Sequence, residues 1–110
     1  MIFETEGTTT TVFQEKVSLK VFRENLEAAY PKLKNNNLIL NLLSFDTLRV
    51  ADILELLELS NTHRGGGKSF VVVTPDVGYE EAPDEICVVP TLQEARDIIE
   101  MEEIERDLDF

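Results

Sequence analysis

The sequence is short of most things that mark an export, membrane or metal protein. Its 110 residues include no tryptophan, one cysteine, one histidine and four prolines. A single thiol, Cys87, excludes an internal disulfide,. A single histidine, His63, cannot supply the three or four first-shell ligands that a zinc centre needs,. No apolar run approaches the ~18 residues of a membrane span. The start, MIFETEG, lacks the basic and apolar regions of a secretory signal,. These absences lead us to expect a cytoplasmic protein with no cofactor and no metal.

Basic residues are also scarce, at 10 against 22 acidic ones, for a formal net charge of -12. That sign repels phosphate backbones and anionic membrane surfaces, so neither nucleic acid nor membrane is an expected partner. A protein partner with a basic or apolar surface is. Apolar residues make up 43% and charged residues 29%, the balance of one folded domain spanning 1–110,.

The pattern along the chain alternates strands and helices. IFETEGTTTTVFQEK reads as two short strands around Glu6-Gly7,. SLKVFRENLEAAYPKL reads as a helix capped by Ser18, and Pro31 is expected to end or kink it near Ala29–Tyr30,. LILNLL is a continuous apolar strand of the doubly buried kind,. A helix from Leu48 to His63 follows, with Asp46 or Thr47 as its N-cap, and RGGGK closes it,. SFVVV and ICVVP are two further strands, separated by the polar loop TPDVGYEEAPDE. Thr91 and Glu94 form a capping box for the final helix,. The resulting order, β-β-α-β-α-β-β-α, implies an α/β fold with a small, mainly parallel sheet and an N-terminal hairpin at one edge.

This order, with LILNLLSF, DTLRVADILELLELSNTHRGGGKSFVVV and VVPTLQEARDII in sequence, resembles the STAS domain of anti-sigma factor antagonists across essentially the whole chain. The resemblance implies a switch turn after the LILNLL strand, carrying a phosphorylatable serine. Here that turn falls within Asp46, Thr47, Leu48, Arg49, Val50, Ala51 and Asp52. The serine position is occupied by Val50 or Ala51, neither of which can be phosphorylated. Thr47 would be an acceptor only with a register slip of about three residues. The family also has a helix between its last two strands, where this chain has twelve residues, Thr74–Glu85, with two prolines and five acids. The implied protein is a non-enzymatic regulatory interaction domain with a degenerate switch. The tail MEEIERDL is similar to that of small STAS-like proteins encoded beside ribonuclease Z and sometimes labelled with that enzyme's name. An accessory role in RNA processing is therefore the alternative, beside phospho-regulation at Thr47.

Several motifs have simpler readings. RGGGKS at 64–69 is not a phosphate loop, because Thr62 stands where the first glycine is required and the segment ends a helix instead of opening one,. Cys87 reads as a small buried hydrophobe between β-branched neighbours. Asp76, Glu80, Glu81, Asp84 and Glu85 do not follow the spacing of a calcium loop,.

The final helix carries two apolar stripes. At about 100° per residue from Leu92, Ala95, Ile98 and Ile99 fall near 300°, 240° and 340°, whereas Met101, Ile104 and Leu108 fall near 180°, 120° and 160°. Either the tail over 100–110 bends, or its second stripe packs on a neighbouring helix, or Met101, Ile104, Leu108 and Phe110 dock another chain. Glu100, Glu102, Glu103, Glu105, Asp107 and Asp109 would then flank the stripe. In the preceding helix Val50, Ile53, Leu54 and Leu57 suffice to cover a sheet. Leu48, Leu56 and Leu59 extend round the far side, toward the final helix or a homodimer partner.

Overall fold

The computed structural model describes residues 1–78 and 80–108. It is an α/β fold in which five strands lie in the order β1-β2-β3-β4-β5. Strand β1 (Ile2–Glu6) pairs antiparallel with β2 (Thr9–Phe13), through a turn where Gly7 takes φ +59°. Strands β2, β3 (Asn37–Asn41), β4 (Phe70–Val73) and β5 (Cys87–Val89) are all parallel. The hairpin thus contributes both an inner parallel strand and the antiparallel edge. Every residue of β1 is exposed, and Glu4 and Glu6 charge that edge against adventitious strand pairing,.

Strand alternation divides the core in two. Leu38, Leu40, Phe70, Val72 and Val88 face one side, where they meet α1 (Leu19–Leu33), α2 (Val50–Leu54) and α3 (Leu57–Gly65). Ile39, Val71, Val73 and Val89 face the other, covered by Ala95 and Ile99 of α4 (Leu92–Leu108). Both faces are apolar only at the inner strands, which explains why LILNLL and SFVVV read as continuous runs.

Four expectations need correction. Helix α1 continues through Pro31 to Leu33, because the proline lies in the last turn, where few bonds remain to lose. Buried Leu33 and the Lys34 N–H to Tyr30 carbonyl bond (3.0 Å) hold that turn closed,. The single helix expected over Leu48–His63 is two, broken at Glu55–Leu56 by a tighter turn in which the Leu56 N–H reaches the Ile53 carbonyl. Three-residue spacing eclipses Ile53 and Leu56, so both are buried while Leu54, expected on the sheet, is exposed,. Arg49, not Asp46 or Thr47, is the N-cap, its N–H bonded to the Asp52 carboxylate at 2.9 Å. Finally, the apolar faces of α2 and α3 do not pack on α4, since the sheet lies between the two core clusters, and α3 reaches α4 through the Arg64–Glu102 ion pair at its end.

At the end of α3, Gly66 is the C-cap and Gly67 takes φ +84°, as the glycine run implies. The crossover from β4 to β5 contains no helix among its described residues. It is nevertheless more than a solvated loop, because Val77, Ala82 and Ile86 are buried in the three-helix side of the core. No helix is long and apolar enough to cross a membrane, among the described residues.

Candidate functional site

The turn of residues 46–52 sits at the carboxyl end of β3, beside the start of the β4–β5 crossover. Asp76 of that crossover accepts the Leu48 N–H at 2.9 Å, and its own N–H is held by Thr74 Oγ1 at 3.2 Å. Leu48 is thereby drawn into the core, while Asp46, Thr47 and Arg49 are exposed. Thr47 has φ +57°, a left-handed conformation that a β-branched residue adopts only when its surroundings impose it,. Val50 begins α2 half-buried and Ala51 is exposed. Asp76→Ala should therefore free the turn before it harms the core. We expect a loss of ~1–2 kcal/mol and faster hydrogen exchange at the Leu48 amide, by a larger factor than at core Leu40, whose exchange follows global unfolding.

The final helix runs unbroken from Leu92 to Leu108, so the tail does not bend within the described residues. Nor does its second stripe pack on another helix. Met101 and Ile104 are each 54% exposed and Leu108 is 79% exposed. Phe110 and Asp109 lie outside the described residues.

The reason the helix stays straight was hidden in its charged residues. Beyond Ile99 the inward stripe continues at about 280°, 20° and 320° with Glu102, Glu103 and Arg106. Arg106 donates from Nη1 to Ser69 Oγ (3.1 Å) and from Nη2 to Asn37 Oδ1 (3.2 Å). Ser69 Oγ donates to Glu102, whose other carboxylate oxygen lies 3.6 Å from Arg64. Thr8 Oγ1 donates to Glu103 at 2.7 Å. Asn37 and Ser69, both buried, begin β3 and precede β4, so the helix is pinned across the amino ends of the inner strands. Glu102 and Glu103 are therefore not flanks of a docking stripe. Sequence reading missed this cluster, although the helical arithmetic applied to polar residues as well would have found its α4 members.

The two predicted surfaces are consequently apart. The turn lies at the carboxyl ends of the strands, on the side of the sheet that buries Leu48, whereas Met101–Leu108 occupy the second half of α4, on the other side and toward the amino ends.

His63 is 1% exposed and lies inside the core. Its Nδ1 accepts the Tyr30 hydroxyl hydrogen bond (2.8 Å), and its Nε2–H donates to the Asn36 carbonyl (2.7 Å). Both ring nitrogens are thus used by the neutral imidazole, and Tyr30 and Phe70 pack edge-on against the ring. Burial lowers the His63 pKa, opposed by the Asn36 carbonyl and assisted by Lys68. Burial likewise raises the Tyr30 phenol.

Cys87, the first residue of β5, is half-buried, and burial, reinforced by Glu102 and offset by Arg64, raises its thiol pKa. No group of three or more His, Cys, Asp or Glu side chains is placed to hold a metal ion among the described residues. Of the crossover acids, Asp76 and Glu81 are occupied with backbone N–H groups, those of Leu48 and Gly78. Compared with models of known families and with curated proteins, the chain matches none.

Proposed function

We propose that this chain is a cytoplasmic, non-enzymatic interaction domain of STAS type, with a degenerate switch turn, that docks a protein partner through the outer stripe of α4. The observation that carries this reading is the exposure of Met101, Ile104 and Leu108 on a straight helix whose inward face is already satisfied. An apolar stripe on a pinned helix is a rigid ridge, suited to a groove or a second helix. The element order and the antiparallel hairpin edge support the STAS assignment. Val50 and Ala51 in the turn support a role that does not need a phosphoserine.

Charge favours a heterologous partner. Glu100, Glu105 and Asp107 are exposed around the stripe, so pairing it with a second copy would set acid against acid, whereas a basic rim is complementary,. Capture from native lysate with the full chain and with a Met101→Lys, Ile104→Lys, Leu108→Lys variant tests the proposal. The captured protein should be lost by the variant, and its purified form should bind more weakly as salt rises. Its identity separates sigma regulation from an accessory role with ribonuclease Z. Equal capture by both chains would remove the stripe from the interface. Thr47 keeps a second reading open because its side chain is on an exposed turn; phosphate at Thr47 in cells, with altered capture by Thr47→Glu, would favour it.

A further inference from the structure

A groove separates the β4–β5 crossover from the flank of α4, and it is distinct from both surfaces discussed above. It encloses about 710 Å³, within the ~300–1,000 Å³ of small-molecule sites. Its existence follows from topology. A parallel β4–β5 connection is usually a helix laid over the sheet, but this one is irregular and tucks its apolar residues under the opposite face. The side of β5 and of α4 is left uncovered.

The walls have a definite character. Pro75, Pro83 and Pro90 line the groove, and they stiffen it while offering no backbone donors. Cys87 and Ile98 are half-buried at its apolar wall. Along α4, Glu94, Ile98 and Glu102 recur every four residues, so one helix flank supplies an apolar centre between two carboxylates,. Arg64 is the cation among the lining residues, and it is paired with Glu102. Glu102 also takes the Ser69 hydroxyl. The charge left facing the groove is that of Asp84 and Glu94, both exposed, although Glu94 Oε2 also accepts the Thr91 hydroxyl at 2.9 Å.

We propose that this groove binds a small organic cation with an apolar body, the body against Ile98 and Cys87 and the positive group between Asp84 and Glu94. An anionic ligand would meet two carboxylates with no unpaired cation to receive it. The proposal is independent of the docking role of α4, whose outer stripe points some quarter-turn away from this flank.

Because Cys87 is the one cysteine of the chain, its alkylation reads the groove directly. The rate with iodoacetamide at mildly alkaline pH would be followed against 4-phenylbutylamine, 4-phenylbutanol and 4-phenylbutyrate, which share one body and differ in charge. The amine should slow alkylation several-fold and saturably, the alcohol should act more weakly and the acid not at all. Amide shifts of Cys87 and Ile98 should give the same amine isotherm without relying on thiol chemistry. Asp84→Asn with Glu94→Gln, which keeps a capping side chain at 94, should raise the amine Kd by about tenfold and leave the alcohol unchanged. Equal protection by all three compounds, or none by the amine with no shift changes, would overturn the proposal. Alkylation that slows with protein concentration alone would overturn it too, by giving the groove to a second copy.

Discussion

Replacing Asn37 with alanine is expected to cost about 3 kcal/mol, a shift in Tm of roughly 10 °C or more. Asn37 is an interior strand residue at 1% exposure, and its Oδ1 accepts from both the Ser69 N–H (2.9 Å) and Arg106 Nη2 (3.2 Å). Truncation strands a buried backbone donor and leaves a small void, two effects that add. Arg106→Met should cost less, ~1–2 kcal/mol, because Asn37 would still serve Ser69, and Ser69 would still reach Glu102. Since the two residues share one network, the double variant should lose less than the sum of the singles. Equilibrium denaturation of the three variants reads this cycle. Strict additivity would show that the Arg106–Asn37 bond contributes nothing in solution. As a contrast, Met101→Lys and Ile104→Lys should leave stability within about 0.5 kcal/mol, as exposed positions do.

The second large effect is a dependence on pH centred on His63. Its folded pKa lies below the unfolded value of about 6.5,. As pH falls, the unfolded chain takes up the proton first, so stability decreases with falling pH. The contribution is complete above the unfolded pKa, is lost as pH drops through the folded one, and levels off below it. One proton limits the slope to ~1.4 kcal/mol per pH unit. The structural reason is specific: Nε2–H already donates to Asn36, so a proton on Nδ1 would break its acceptance of the Tyr30 hydroxyl bond. Lys68 adds to the cost, and no carboxylate is among the groups shifting this ring. His63→Gln should be less stable at pH 8, with a flatter profile between pH 7 and 5. Differencing the two curves cancels the remaining titrations of this acidic chain. Parallel profiles would mean that His63 is protonated as readily in the folded state as in the unfolded one.

Much of the architecture was readable in the sequence because it is local or periodic. Continuous runs such as FVVV can be satisfied only by a strand covered on both faces, and the alternation with helices then requires parallel crossovers. The Gly7 turn, the Ser18 cap, the glycine stop after His63 and the start of the final helix at Thr91 all rest on the chemistry of two to four neighbouring residues. Thr91 Oγ1 does accept the Glu94 N–H at 3.2 Å. Where the readings failed, a nonlocal contact outweighed local preference. Pro31 by itself implies an end or a kink near Ala29–Tyr30, but the helix continues and a buried Leu33 holds the turn beyond it. Asp46 and Thr47 were read as caps, but the Asp76 carboxylate, 28 residues on, takes the Leu48 N–H and delays the helix.

The candidate surfaces divide in the same way. Periodicity alone separated the two apolar stripes of the final helix, since angular position depends only on residue number and helical rise. Whether the second stripe was bent away, covered or exposed depended on what met the inward face. That was decided by Arg106, Glu102 and Glu103 reaching Ser69, Asn37 and Thr8 from 37, 33, 69 and 95 residues away. Composition likewise announced an acidic chain with one histidine and one thiol. Only packing placed that histidine between Tyr30 and Asn36 and set the thiol in the wall of a groove. Helical position can mark one partner of such a contact, as it does Glu102, Glu103 and Arg106, but the residues they meet in distant segments become legible only when the sheet has brought those segments together.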